Sequence, residues 1–337
     1  MNSPPPLLPR RTAARLGVVL VGALLVGLVV ALALGSDGFS LPTATDWDLI
    51  NAIRLPRALG ALLTGALLGL AGALAQGLFR NPLADPYLLG SASGATLAVV
   101  ITITLLSSVT VESTTLQFLV HLGYSGAAFV GALVGVALSL TLARGARQTN
   151  GLLLAGVVVG ILLGALSNLL TLISPEALRG VQTFLYGSTS WLNFGSVTRE
   201  AIGLVAILVL SVRYSRVLDA LVLGDHTAMS LGIDLKRARA GLIVCMALAT
   251  GLAVAETGLL AFVGLMSPHV VRRLVDTTHS GILVLSSLTG ATLLLWADSI
   301  ARWVWAPQEL PVGLFTAIIG GGYLLTMLTL QDRWENH

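Results

Sequence analysis

The stretch that decides the fold is Arg57–Leu78, which reads RALGALLTGALLGLAGALAQGL. No charge follows Arg57 within it, and about 20 such residues are enough to cross a bilayer as a helix. Small residues recur at every fourth position, at Gly65, Gly69, Ala73 and Gly77. Such a row lets a second helix approach closely, which matters in lipid because helices there associate by packing. The stretch therefore predicts a membrane-spanning helix that packs against another helix of the same chain.

The composition of the whole chain agrees with this prediction. Of the 337 residues, 55% are hydrophobic and only 10% are charged, and the mean hydropathy is +0.89. Soluble domains carry about 25% charged residues, so an ordinary soluble globular protein is excluded. The 37 glycines suit closely packed helices, and the alternation of a membrane β-barrel is not visible. We expect an all-α membrane protein.

Ten stretches are apolar enough to be spans, with boundaries uncertain by a few residues. They are Leu16–Gly35, Arg57–Leu78, Leu88–Ser107, Leu119–Ala143, Gly151–Ile173, Ala201–Arg213, Ala240–Glu256, Leu259–Val275, Ile282–Trp305 and Pro311–Leu330. Residues 16–330 would form a single transmembrane domain between two tails, 1–15 and 331–337. The first span resembles a signal peptide, but it is long enough to be a retained helix.

Basic residues divide unevenly between the two sides that these spans define. If the N-terminus lies inside, 14 of the 19 lysines and arginines face the inside and 5 the outside. The inside group is Arg10, Arg11, Arg15, Arg80, Arg144, Arg147, Arg213, Arg216, Lys236, Arg237, Arg239, Arg272, Arg273 and Arg333. The outside group is Arg54, Arg57, Arg179, Arg199 and Arg302. Because cytoplasmic loops carry the excess of basic residues, both termini are predicted to be cytoplasmic.

Two connections are long enough to hold helices of their own. On the outside, residues 174–200 contain Pro175 at a helix start. On the inside, residues 214–239 contain two breaks, Gly224 and Gly232, and Asp225 is placed to cap the second of two short helices. We expect one short surface helix outside and a pair of short helices inside.

The motifs of the common enzyme classes are missing from the sequence. HExxH, GxxxxGK[ST] and GxSxG do not occur, and we predict no catalytic residue and no metal ligand. Ser93, within Ser91–Gly94, resembles the serine of an intramembrane protease, with His269 as its one intramembrane candidate partner. Cys245 has no second cysteine to pair with and is expected to be a small core residue.

Few ionisable residues fall within the spans, where a charge costs at least about 2.5 kcal/mol. Asp298 and Arg302 are spaced to pair on one helix face, and Glu256 is expected to be solvated at an outer turn. A relay of carboxylates or histidines near the membrane centre is not evident, which argues against a carrier driven by protons. Energy would then come from another subunit, or the protein would be a passive pore.

A second row of small residues, Gly156, Gly160 and Gly164, lies in the fifth span. It suits close helix packing and equally a smooth wall past which a bulky solute slides.

Several stretches together resemble the FecCD-type permeases, the membrane subunits of ABC importers for iron-siderophores, haem and vitamin B12. These are RLPR at 54–57, RNPLADP at 80–86, LGD at 223–225, FVGL at 262–265 and LPVG at 310–313. The similarity covers nearly the whole chain in the right order. One departure is Gly320–Gly322, where the family has a proline two residues after a glycine, so the bend of the last helix is in question.

The resemblance implies a type II ABC importer permease fold of about ten helices per subunit. Two copies would form one pathway, with two ATP-hydrolysing subunits below and a solute-binding protein above. ATP and Mg would be bound by the partner, and this chain would bind no cofactor. By this resemblance the chain would be a multi-pass protein of the bacterial inner (cell) membrane. Its pathway contributes little selectivity, so a ferric siderophore, haem and cobalamin all stay open as cargo.

The resemblance also assigns roles to residues. Coupling helices at about 218–235 would enter the ATPase, through Leu218, Leu221, Gly224, Asp225, Ala228, Met229 and Gly232. Three outer arginines, Arg54, Arg57 and Arg302, would receive acidic residues of the binding protein. The fifth-span glycines, Gly156, Gly160 and Gly164, would line the pathway together with the tenth span. The competing hypotheses are a stand-alone secondary transporter and a membrane-embedded enzyme.

Overall fold

A computed structural model of the chain describes residues 12–35, 38–39, 47–106, 114–143 and 149–335. The predicted tail 1–15 lies mostly outside the described residues. Helices make up nearly all of the described chain, as the sequence predicts, and the strands are two short segments, β1 (Leu34–Gly35) and β2 (Gly38–Phe39), that pair antiparallel.

Thirteen α-helical segments follow one another along the described chain. They are α1 (Ala13–Ala33), α2 (Trp47–Leu49), α3 (Leu55–Phe79), α4 (Ser91–Leu106), α5 (Thr114–Leu142), α6 (Thr149–Ile173), α7 (Pro175–Tyr186), α8 (Phe194–Val222), α9 (Asp225–Ser230), α10 (Leu235–Thr257), α11 (Val263–Leu274), α12 (His279–Trp303) and α13 (Val312–Glu335). A π-helical turn, Ile50–Arg54, joins α2 to α3, and a 3-10 turn, Pro86–Leu89, precedes α4.

Each of the ten predicted spans coincides with one of these helices, but their lengths differ. Seven helices of the described chain are long and apolar enough to cross a membrane, and the apolar parts of α4 and α13 are shorter. Helix α11 has 12 residues, about 18 Å at 1.5 Å per residue, which is too short to cross alone. The count of ten transmembrane helices therefore stays a prediction.

Helix α3, which contains the stretch quoted first, runs through the centre of the bundle. It is buried along almost its whole length and contacts α8, α10, α11 and α12. A Cβ on Gly65 would overlap the carbonyl oxygen of Gly290, and one on Gly69 would overlap that of Ser286. The row of small residues thus serves intrachain packing against α12, as predicted. Cys245 is a buried core residue, also as predicted.

The connections confirm one prediction and correct another. Helix α7 begins at Pro175, and its N-cap Ser174 accepts a hydrogen bond from the Ala177 amide. On the other side, α8 does not end near Arg213 but continues as one helix to Val222. The apolar pattern fades at Arg213 while a helical pattern of buried residues, Ser215, Leu218 and Leu221, continues. The first of the two expected short helices is therefore the end of α8.

Candidate functional site

Charged residues gather at the two ends of the bundle. One end, here called the basic end, carries Arg80, Arg239 and Arg272 near the segment Leu218–Leu235. The other, the opposite end, carries Arg57, Arg302 and the Arg199–Glu256 pair. Each predicted functional surface lies at one of these ends or on the helices between them.

At the basic end, two glycines shape the segment Leu218–Leu235. Gly224 has φ +101° and Gly232 has φ +81°, values that side-chain-bearing residues rarely adopt. Gly224 turns the chain from α8 into α9, and Gly232 follows the end of α9. Both breaks were predicted.

Of the seven residues predicted for coupling, three are buried, two are exposed, and Gly224 and Asp225 are half-buried. Leu218, Leu221 and Ala228 are at most 1% exposed and hold the segment to the bundle. Met229 and Gly232 are exposed. The exposed apolar surface also includes Val222, Leu223 and Leu231. These three residues lie next to the helix breaks Gly224 and Gly232. Their position beside a break in the sequence was the signal that could have identified them as part of the exposed surface.

Asp225 connects α9 to two other helices rather than capping it. The N-cap is Gly224, which has no side chain that could cap the helix. The Asp225 carboxylate instead accepts hydrogen bonds from Arg239 Nη2 at 2.7 Å and from Arg80 Nη2 at 3.3 Å. Arg80 also donates to the Leu221 carbonyl oxygen at 3.3 Å. The segment is thereby tied to the end of α3 and the start of α10. The predicted capping role of Asp225 is wrong, because the carboxylate turns towards these arginines.

At the opposite end, a buried network surrounds Asp298, which has no exposed surface. Arg57 donates to Asp298 Oδ1 from Nε at 3.2 Å and Nη2 at 3.0 Å. Arg302 Nε lies 3.2 Å from Asp298 Oδ2, which confirms the predicted pair, and Thr189 donates to Oδ1. Arg57 Nη1 donates hydrogen bonds to both carboxylate oxygens of Glu309.

The three arginines predicted for docking are therefore already engaged within the chain. Arg57 and Arg302 are 8% and 7% exposed, and Arg302 also donates to the carbonyls of Ala31 and Leu34. Arg54 is half-buried and donates to the Leu32 carbonyl at 3.0 Å. The expectation that Glu256 is solvated is wrong, because Glu256 is buried and accepts from Arg199 Nε at 2.8 Å and Nη2 at 3.0 Å.

The fifth-span glycines, in α6, have three different surroundings. A Cβ on Gly156 would overlap the Leu88 carbonyl oxygen, so Gly156 packs against the turn before α4. A Cβ on Gly160 would lie 3.6 Å from Ser93 Oγ, and one on Gly164 would have no described atom within 4 Å. Packing explains Gly156, whereas Gly164 leaves an open surface.

A cavity of about 410 Å³ lies beside the first turns of α13. Its lining includes Asp85, Tyr87, Tyr186, Phe262 and Ala317. Burial raises the pKa of the Asp85 carboxyl to about 6, while a hydrogen bond from the Tyr87 amide lowers it. The cavity combines apolar and aromatic walls with one carboxyl group, a composition common among sites for small organic molecules.

Phe262 reaches this cavity from a constrained position. Its φ is +67°, a conformation that is rare for a bulky residue, and its side chain fills the place that a Cβ on Gly320 would occupy. Helix α13 continues unbroken through Gly320–Gly322. The glycines that stand in place of the family's proline therefore do not interrupt the helix. Gly320 instead makes room for Phe262.

The serine and histidine of the enzyme hypothesis have different neighbours. Ser93 faces Gly160 on α6. His269 lies edge-on to the Tyr323 ring, with centroids 5.6 Å apart, and hydrogen-bonds to the Pro82 backbone. Both residues thus have packing roles in the described structure.

The chain is similar to known membrane transport proteins along most of its length. The model of the FecCD transport family matches residues 19–330. The hemin transport system permease protein HmuU of Yersinia pestis is 36% identical, over 93% of this chain and 96% of its own. The cobalamin import system permease protein BtuC of Halobacterium salinarum is also 36% identical, over 88% of this chain and 76% of its own.

A solved structure of similar fold is an inward-facing conformation of a metal-chelate type ABC transporter. It has a TM-score of 0.83 and 27% identity, and the match covers 94% of this chain and 99% of that one. Together with the helical bundle and its glycine-packed central helix, these similarities show that the chain is an ABC transporter permease of the FecCD transport family.

Proposed function

We propose that this permease imports an iron chelate, a ferric siderophore or haem, across the bacterial inner membrane. The similarity to a hemin permease and to a metal-chelate type transporter supports this cargo class. Cobalamin is the second candidate, supported by the similar identity to a cobalamin permease. Two copies of the chain would form the pathway, with two ATPase subunits that bind ATP and Mg and with an extracytoplasmic solute-binding protein.

The structural observation that carries the ATP-driven part of the proposal is the exposed apolar surface around Gly224. Val222, Leu223, Met229 and Leu231 are 48–65% exposed, while Asp225 ties the same segment to α3 and α10. An apolar projection with rigid attachments is what a cleft in an ATPase subunit would need in order to move the bundle. In this arrangement the basic end and both termini face the cytoplasm, in accord with the excess of basic residues there.

The opposite end would receive the binding protein. Arg54 is the most accessible of the three arginines, and Arg57 becomes available when Glu309, which is 43% exposed in its side chain, moves aside. Acidic groups of the partner would then set orientation and on-rate, with a dependence on salt. The pathway would follow the open face of α6 near Gly160 and Gly164, with Gly156 fixing the helix behind it.

The test is uptake in cells that lack their own copy of the transporter. The chain is co-expressed with its genomic neighbours, and labelled ferric siderophore, haem and cobalamin are supplied separately. We expect one iron chelate to accumulate, and accumulation to cease when the ATPase partner carries a catalytically dead substitution. Accumulation of cobalamin alone would favour the second candidate. Uptake that persists with the dead ATPase would contradict an ABC importer.

A further inference from the structure

A second cavity, at the basic end, has two arginines in its lining. Its volume is about 300 Å³, at the lower end of the range for small-molecule sites. Arg80, Arg272 and His279 line it together with the amides Gln76 and Asn81. No acidic residue of the described chain is part of this lining.

The charge of this cavity is not balanced by the surrounding ion pairs. His279 is paired with Asp219, whose Oδ1 lies 2.7 Å from Nδ1. Arg80 shares the single carboxylate of Asp225 with Arg239. None of the ion pairs among the described residues includes Arg272, and no described residue hydrogen-bonds to its buried Nε. Two guanidinium groups therefore line the cavity, while the Asp225 carboxylate that pairs with Arg80 lies outside the lining and is shared with Arg239.

The backbone at Arg80 gives independent support. Arg80 follows the last residue of α3 with φ 50° and ψ 36°, a left-handed conformation that glycine or asparagine adopts most readily at a helix end. Strained backbone of this kind concentrates at functional sites. An arginine here keeps a guanidinium at the edge of the cavity, which glycine would not.

We propose that this cavity binds the phosphodiester group of an anionic phospholipid. Arginine binds phosphate oxygens through paired N–H groups, and basic pockets between transmembrane helices near a membrane surface bind anionic head groups. The cavity meets both conditions, because it lies where α3, α8 and α11 end. The inference is independent of which solute the permease carries.

Occupancy would bear directly on the exposed segment. Val222 lines the cavity, and Arg80 donates to Leu221 and Asp225. A phosphate bound to Arg80 competes with the Asp225 carboxylate for the same guanidinium. The lipid therefore adjusts how firmly α9 is attached to α3.

The test measures lipid retention by native mass spectrometry on the full chain purified in a neutral detergent. Phosphatidylglycerol and phosphatidylcholine with the same acyl chains are added at equal concentration. We expect the wild type to retain phosphatidylglycerol in preference. Arg272→Gln should reduce this preference about fivefold, the factor equivalent to about 1 kcal/mol per basic residue. Arg273→Gln is the matched control, since Arg273 is exposed on the same helix and does not line the cavity.

Several results would overturn the proposal. The first is equal retention of phosphatidylglycerol and phosphatidylcholine by the wild type. The second is an equal loss of the preference in Arg272→Gln and Arg273→Gln, which would show that general surface charge causes it. Displacement of the lipid by an equal concentration of inorganic phosphate would assign the site to free phosphate. Loss of the lipid when ATPase subunits bind would assign the cavity to that interface. If Arg272→Gln does not fold, Arg272→Lys keeps the charge but lacks the paired N–H groups, so it should weaken the preference in part. A preference equal to that of the wild type in Arg272→Lys would count against phosphate binding by the Arg272 guanidinium.

Discussion

Arg57 Nη1 lies 2.9 Å from Glu309 Oε1 and 2.8 Å from Glu309 Oε2, although 252 residues separate the two in the chain. Glu309 belongs to the connection between α12 and α13, and it also accepts a hydrogen bond from Ser190 Oγ at 3.3 Å. The same guanidinium holds Asp298 on its inner side. Arg57 thus joins the buried core of the bundle to a partly exposed loop.

Charge reversal at Arg57 should destabilise the protein itself. Arg57→Glu would place a third carboxylate beside Asp298 and Glu309, and breaking a buried pair in this way costs about 3–5 kcal/mol. We expect a clear fall in the melting temperature of the purified chain. Arg179→Glu, at an exposed position on α7, is the control and should melt like the wild type. An unchanged melting temperature for Arg57→Glu, with weaker docking of the binding protein, would instead favour a purely external role.

Replacing Gly224 by a bulky residue should uncouple ATP hydrolysis from transport. The position needs φ +101°, and a side chain there is strained although no described atom lies within 4 Å of its Cβ. Gly224→Leu should therefore shift α9 without disturbing the core. We expect ATPase activity of the complex to continue while uptake falls. Thr227→Leu, at an exposed position of α9, is the control for added bulk, and normal uptake by Gly224→Leu would remove the coupling assignment.

The attachment of α9 through Asp225 can be tested with two neighbouring arginines. The Arg239 side chain is 4% exposed and contacts Asp225, whereas the Arg237 side chain is 90% exposed. Arg239→Gln should lower uptake per ATP hydrolysed, because α9 loses its bond to α10. Arg237→Gln should have no measurable effect, since an exposed ion pair contributes about 0–1 kcal/mol. Equal ratios of uptake to hydrolysis in the two variants would show that the Asp225 contact is dispensable.

The contact between Phe262 and Gly320 provides a further test with an adjacent control. A Cβ at Gly320 would overlap Phe262, whereas one at Gly321 would have no described atom within 4 Å. Gly320→Ala should displace Phe262 from its position at the cavity and cost about 1–3 kcal/mol, as overpacking does. Gly321→Ala should be neutral or slightly stabilising, because alanine favours a helix. Thermal melting and uptake should both separate the two variants, and identical behaviour would contradict the contact.

The sequence predicts the helices well because the apolar pattern is local. Arg57–Leu78 and its row of small residues are sufficient to predict α3 and its close packing. The end of α8 was missed because hydropathy reports where a helix leaves the apolar region, and α8 continues beyond Arg213 as an amphipathic helix.

Long-range pairs were predictable only where spacing along one helix reveals them. Asp298 and Arg302 lie four residues apart, so their pairing was expected. Arg57 with Glu309, and Arg199 with Glu256, belong to elements distant in sequence, and the loop that carries Glu309 has no pattern that points to α3. The same limit explains Asp225, whose local position suggests a cap but whose partners, Arg80 and Arg239, come from other helices.

Arg57 lies in the first turn of α3, and Arg80 follows its last residue. The network around Asp298 and the network around Asp225 therefore lie at opposite ends of the same helix. Its 25 residues span about 37 Å at 1.5 Å per residue, and its glycines hold it against α11 and α12 with little room to bend. We therefore expect a displacement of α9 that reaches Arg80 through Asp225 to be carried along α3 towards Asp298 and Glu309. If this expectation is correct, docking at one end of the bundle and nucleotide-driven movement at the other are linked mechanically by one buried helix.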